Sequence, residues 1–256
     1  MKKQRHHLPL FLFPLFLLRL RQRGWKLEPD DQAEARRDVT IIQFLNYAGV
    51  FVFAATGALA ASRRQLDIIG FIFLANITAI GGGTMRDLVL ASPVFWVVQP
   101  LYLFVGTLAA IAVYFTAHKV ESRYRTLLWL DTIGMAAYTV MGAAKGLALG
   151  FGPSVAIVTG IFTATFGGIL RDMVVGEPSV LMRREIYVTA AVAGACLYVV
   201  LEYLGINPVI SAGAAAFAAF FVRGGALYFG WTLPVYKSKP GRTEEELQRD
   251  QIIRPE

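Results

Sequence analysis

The sequence predicts an all-α membrane protein: seven transmembrane helices, built as an inverted repeat of three plus three with one helix left over, and with helices two and five broken at glycine motifs. Three observations predict this. The chain repeats itself without a gap at an offset of 85 residues. Its apolar residues are gathered into stretches of ~20, the length that crosses ~30 Å of hydrocarbon as a helix. Its lysines and arginines are confined to alternate joints between those stretches.

The repeat lays Asn46–Pro93 on Asp131–Pro178. Gly49 falls on Gly134, Gly57 on Gly142, Thr78 on Thr163 and Ala79 on Ala164. Gly82-Gly83-x-x-Arg86-Asp87 then falls on Gly167-Gly168-x-x-Arg171-Asp172, and Pro93 on Pro178. Internal symmetry with helix-weakening residues at matching places points to a binding or transport site between the two halves.

Composition agrees. Of 256 residues 55% are hydrophobic and only 17% charged, against about a quarter charged in a soluble domain; mean hydropathy is +0.51. The formal charge of +7 would suit a nucleic-acid partner if it were clustered. The basic residues instead flank apolar spans and read as topology signals, so no nucleic-acid partner is expected. Cys196 is the single cysteine, which excludes an internal disulfide, and His6, His7 and His118 lie outside the apolar stretches. No metal cluster and no nucleophile–base set can be assembled, so no metal, cofactor or enzymatic activity is expected.

The first span, near 44–61, ends at the charged joint Ser62-Arg63-Arg64-Gln65. The second, 67–90, stops before Pro93, and the third covers 97–117. The fourth, 127–147, leads into Gly150-Phe151-Gly152-Pro153, where the fifth, 153–175, begins; the sixth is 186–204 and the seventh 208–230. The prolines at 93, 100, 153, 178 and 208 fall at or just outside helix ends, where a missing N–H is tolerated. Five segments follow: an N-terminal extension 1–39, a first repeat 40–122, a second, inverted repeat 123–205, the seventh helix 206–236 and a polar tail 237–256. Within the extension, Leu8–Leu18 is an apolar run too short to span, and no small-residue cleavage site follows it. It is expected to be interfacial or disordered, and residues 24–40 to form a polar tether.

Arg63, Arg64, Lys119, Arg123, Arg125, Arg183, Arg184, Lys237, Lys239 and Arg242 occupy joints on one side, while 91–96, 148–152 and 205–207 hold no lysine or arginine. The positive-inside rule therefore puts the C-terminus in the cytoplasm and residue 40 outside. Three spans per repeat make the halves antiparallel, so Arg86 lies in the outer half of the membrane and Arg171 in the inner half.

Consecutive glycines weaken a helix by ~1 kcal/mol each relative to alanine, so Gly81-Gly82-Gly83 and Gly167-Gly168 are expected to kink or unwind it. Gly49, Gly57, Gly134 and Gly142 read as packing positions. An arginine near the bilayer centre costs at least ~3 kcal/mol, so Arg86 and Arg171 are expected to line or gate a path, against the alternative of a structural clamp. Neighbours on a helix do not face each other, so Asp87 is not expected to neutralise Arg86; a cross-repeat pair with Asp172 is the alternative. Asp131 in span four takes the place of Asn46, and Lys145 that of Ala60. Asp131 suits either a helix start or a functional role, and Lys145 is expected to snorkel. Arg223 is expected to anchor span seven near an interface.

GGGTMRD at 81–87, GGILRDMVVGEP at 167–178, the seven-span layout and the closing RGGALYFGWTLP at 223–234 resemble the bacterial trimeric intracellular cation (TRIC) channel family, a domain also described as a glycine transporter. The resemblance covers roughly 40–236. It implies a homotrimer in the bacterial inner membrane, surrounded by lipid, with one pore per protomer. It also implies permeation of potassium, with sodium less discriminated against, and no metal bound beyond the permeating ion. It makes Gly81, Gly82, Gly83, Gly167 and Gly168 the pore-kink residues, with Arg86, Asp87, Arg171 and Asp172 beside them; Asp131 and Lys145, as charges within span four, are candidates for further lining or gating groups. Cation selectivity does not follow from two arginines facing a path. The competing reading is a carrier for a small solute such as glycine.

Overall fold

The computed structural model describes residues 29–180 and 186–234, with isolated positions 241, 247, 249 and 250, and side chains from Asn46 onward. The expectations for residues 1–28, the Arg183-Arg184 joint and most of the tail fall outside them. All long elements are helices: α1 (Pro29–Arg63), α2 (Ile68–Val89), the short α3 (Phe95–Val98), α4 (Leu101–Thr116), α5 (Arg123–Ala148), α6 (Pro153–Val174), α7 (Val188–Tyr203) and α8 (Pro208–Phe229). Five stretches are long and apolar enough to cross a membrane: Ile68–Val89, Leu101–Lys119, Arg123–Ala148, Pro153–Val174 and Pro208–Phe229. Val188–Tyr203 is a shorter apolar helix, and α1 carries the first expected span in its second half. The third expected span starts differently: α3 precedes it and Gln99-Pro100 separates the two helices, because proline cannot continue α3 with a backbone donor.

Local chemistry sets the helix ends. The Asp67 side chain accepts from the Gly70 amide at 2.7 Å, Ser122 accepts from Arg125 at 3.3 Å and Asn207 from Val209 at 2.9 Å; each satisfies an amide that the first helical turn leaves free. Pro153 and Pro208 open their helices, where the absent N–H has no partner to lose. Gly230 ends α8 with a left-handed φ of 70°, a conformation that costs glycine nothing.

The packing repeats as the sequence does. α1, α2 and α4 pack on one another, and so do their counterparts α5, α6 and α7; the two sets meet through α1 against α5 and α2 against α6, while α8 lies on α5 and α7. Small residues fill these seams: Ala54, Ala58, Ala61, Ala75, Ala109, Ala110, Ala143, Ala156, Ala164, Ala190, Ala191 and Ala195 are all fully buried. Large apolar side chains point outward instead, with Phe104, Phe115 and Phe217 about two-thirds exposed (64%, 66% and 67%). That inversion of the soluble pattern is what a lipid solvent produces, because helices there gain by backbone proximity and lose nothing by exposing leucine or phenylalanine.

One expectation is corrected. α2 and α6 run unbroken through Gly81-Gly82-Gly83 and Gly167-Gly168. The glycines are spent on close approach of two backbones, and an opened turn in an apolar surround would leave polar groups unsatisfied.

Candidate functional site: two buried charge clusters

α2 and α6 cross at the glycines. A Cβ on Gly82 would collide with the Thr163 carbonyl oxygen, and a Cβ on Gly167 with that of Thr78. Adding 85 to Gly82 gives Gly167, and subtracting 85 from Thr163 gives Thr78. The two contacts are therefore one contact seen twice, as a two-fold relation between α2 and α6 requires. Gly81 makes room for Leu170, Gly83 for the Phe95 ring and Gly168 for the Tyr187 hydroxyl. The packing glycines behave alike: Gly49 and Gly134 receive the rings of Tyr138 and Phe53, and Gly57 and Gly142 lie against the backbones of α2 and α6.

One turn beyond each crossing glycine, on the same helix face, sit the arginines. Arg171 is 2% exposed and fully engaged. Its Nη1 lies 2.7 Å from Asp131 Oδ1 and donates to Thr56 Oγ1 at 3.2 Å; Nε and Nη2 lie 3.0 Å from Asp172 Oδ1. The other Asp172 oxygen accepts from the Val180 amide at 3.2 Å. Arg86 is 4% exposed, and its Nε donates to Asp87 Oδ1 at 2.7 Å. Lys145 Nζ lies 2.7 Å from the same oxygen, and Asp87 Oδ2 accepts from the Phe95 amide at 2.9 Å. Phe95 and Val180 are again 85 apart. Each aspartate thus neutralises its arginine and ties down the chain that leaves its helix; the Ser92 and Glu177 amides bond the same aspartates' carbonyl oxygens, both at 2.9 Å.

Arg86 is therefore neutralised by its neighbour Asp87 after all, and does not pair with Asp172. Cβ atoms of adjacent residues diverge, but a guanidinium on three methylenes can fold back across that gap. Lys145 does not snorkel; it turns inward to Asp87. Arg223 is no interface anchor: it is 1% exposed, donates to the Ile186 carbonyl at 3.2 Å and stacks over the Tyr187 ring at 5.1 Å. Burial makes pairing compulsory, because an unpaired ion in this surround costs more than ordering a side chain.

The clusters differ in charge. Among the described residues two cations, Arg86 and Lys145, share one carboxylate, Asp87, whereas two carboxylates, Asp131 and Asp172, meet one cation, Arg171. Beside Arg86 lies a cavity of about 40 Å³ lined by Asn46, Val50, Gly83, Arg86, Phe95, Tyr102, Tyr138, Met141 and Thr163. Tyr102, Tyr138 and Thr56 carry no sequence signal as site residues. Thr56 is the repeat counterpart of Met141, and each lies beside an arginine of the doubled motif. At one end of the bundle a larger groove exposes Arg63, Arg64, Tyr124 and Glu177. There Arg63 grips Glu177 with both terminal nitrogens at 3.1 Å and lies over the Tyr124 ring at 4.6 Å.

Comparison with known proteins places this arrangement. The sequence profile of a family described as Glycine transporter matches residues 43–118 and 128–203, one match per repeat. A UPF0126 membrane protein of Vibrio cholerae is 32% identical over 209 residues, spanning 80% of this chain and 86% of its own. The UPF0126 inner membrane protein YadS of Escherichia coli is 34% identical over 168 residues, 64% of this chain and 80% of its own. Among solved structures, the TRIC trimeric intracellular cation channel orthologue from Rhodobacter sphaeroides superposes with a TM-score of 0.73 at 47% identity, covering 75% of this chain and 100% of that one. A second TRIC cation channel gives 0.70 at 27% identity, covering 78% and 98%.

Proposed function

Because the chain belongs to the Glycine transporter family and folds as the solved TRIC channels do, we propose that it is a membrane cation channel passing potassium, assembled as a homotrimer with one path in each protomer. The observation that carries this reading is the match to the whole length of the Rhodobacter sphaeroides channel at 47% identity. The crossing of α2 and α6 supports the position of the path, since it holds two oppositely charged clusters at corresponding depths of the two repeats. In this reading Gly81, Gly82, Gly83, Gly167 and Gly168 set the separation of the pore helices. Arg86 with Asp87 and Lys145 forms one gate, and Arg171 with Asp131 and Asp172 the other. The buried clusters close the path in the conformation described: each aspartate holds both an arginine and the following loop, so opening must exchange these bonds for bonds to water and ions. Seven crossings with inverted halves, an N-terminus outside and a cytoplasmic C-terminus follow from the placement of lysine and arginine, and the inner-membrane name of the Escherichia coli relative agrees with that location.

Purified protein fused into a planar bilayer with unequal potassium chloride on the two sides tests the reading: discrete unitary currents reversing near the potassium equilibrium potential are expected. The name of the matching family favours one other reading, a carrier for glycine. Exchange of labelled glycine by proteoliposomes with no resolvable unitary current would establish that reading and remove the channel.

A further inference from the structure

The repeat makes a comparison within one chain. Around Arg171 the positions Thr56 and Asp131 supply an oxygen ligand and a carboxylate. Shifted by 85, those positions become Met141 and Asn46, and both line the cavity beside Arg86. The first repeat thus presents a thioether and a neutral amide where the second presents a hydroxyl and an anion. Among the described residues the Arg86 guanidinium makes its hydrogen bond through Nε alone, which leaves its two terminal nitrogens, four N–H donors, without an acceptor among them. Asn46 adds an amide and Tyr102 and Tyr138 add phenols to the same cavity wall. The surrounding cluster carries one cation in excess, Arg86 and Lys145 against Asp87.

We infer that this cavity is a binding site for a small monovalent inorganic anion, of the size and charge of chloride, held by the terminal nitrogens of Arg86 with Asn46 and the two tyrosines. Three independent features select that chemistry. A buried excess cation is costly without a counter-charge. The polar groups on the wall, the Asn46 amide and the Tyr102 and Tyr138 hydroxyls, can each turn an N–H or O–H toward an anion beside the donor-only Arg86 guanidinium. A volume of about 40 Å³ exceeds the ~10–15 Å³ that one water molecule needs and is room enough for a halide. The bound anion would do for Arg86 what Asp131 does for Arg171. The inference holds whether the path passes ions or glycine, and its test reads binding rather than flux.

The test compares thermal unfolding of the detergent-solubilised protein in potassium chloride and in potassium gluconate at equal ionic strength. The wild type is expected to show a saturable upward shift of a few degrees in chloride, since a ligand that binds only the folded state raises its midpoint. Asn46→Asp builds the second repeat's carboxylate into the first, so its midpoint should be the same in both salts; Arg86→Gln should also lose the chloride response. Equal midpoints for the wild type in the two salts would overturn the site. So would an undiminished chloride response in Asn46→Asp, which would mean an adventitious ion only, bound elsewhere. Should a variant fail to fold, anomalous scattering from crystals of the wild type grown in bromide decides: a peak within hydrogen-bond distance of Arg86 supports the site, and a cavity without one sinks it.

Discussion

Gly82 of α2 rests its bare Cα on the carbonyl oxygen of Thr163 in α6, and Gly167 of α6 does the same to Thr78 in α2. Backbone cannot move aside as a side chain can, so even one methyl group must part the helices. Gly82→Ala and Gly167→Ala should each destabilise the folded protein by about 1–3 kcal/mol, the usual penalty of overpacking. Gly213, in α8 with nothing within 4 Å of its Cβ position, is the control: Gly213→Ala should be neutral or gain up to ~1 kcal/mol from helix propensity. Thermal unfolding in detergent measures all three. Similar midpoints throughout would mean that the crossing is slack.

The Arg171 cluster should behave as a unit. Arg171→Met leaves Asp131 and Asp172 buried without their arginine, and removing one partner of a buried ion pair typically costs about 3–5 kcal/mol. Adding Asp131→Asn and Asp172→Asn should recover part of that loss, because neither carboxylate is then left as an uncompensated buried charge. A triple variant no more stable than Arg171→Met would show that the two carboxylates do not depend on that arginine.

Arg86→Ala should raise cation conductance with assembly intact if the channel reading is right, since it removes a cation from the path while Asp87 keeps Lys145. Single-channel recording of trimers isolated by gel filtration checks this. Lost assembly with unchanged unitary current would make Arg86 a clamp.

Arg64→Cys and Phe151→Cys, each in a Cys196→Ala background, should react with an impermeant maleimide from opposite faces of right-side-out and inverted vesicles. Labelling from the same face would overturn the seven-crossing topology.

Much of this was legible in the sequence. The repeat singled out the glycines that meet at the crossing and the arginines and aspartates of both charge clusters, because a fixed offset survives folding, although it did not foretell the crossing or the pairings. Two helix starts were legible too, since Pro153 and Pro208 act on their immediate neighbours, whereas the helix capped by Ser122 begins four residues before the expected 127. What could not be read was the destination of long side chains. Helical geometry correctly says that Arg86 and Asp87 point apart, yet it says nothing of how far a guanidinium reaches back under the pressure of burial. Lys145 turned inward for the same reason, drawn to a carboxylate 58 residues away in sequence. Nor does propensity measured in water decide whether Gly81-Gly82-Gly83 unwinds. Among closely packed apolar helices the lost backbone bonds outweigh ~1 kcal/mol per glycine.

Glu177, gripped by Arg63 at one end of the bundle, has as its repeat counterpart Ser92, whose hydroxyl has no hydrogen-bond partner among the described residues. Arg63 itself corresponds to Ala148. The frame is duplicated but its fastenings are not: one rim is cinched by ions within reach of solvent, the other by packing and backbone bonds. Salt weakens the first kind of fastening and leaves the second nearly untouched. A protein made of two matching halves therefore carries one rim whose fastening answers to salt and one whose fastening does not.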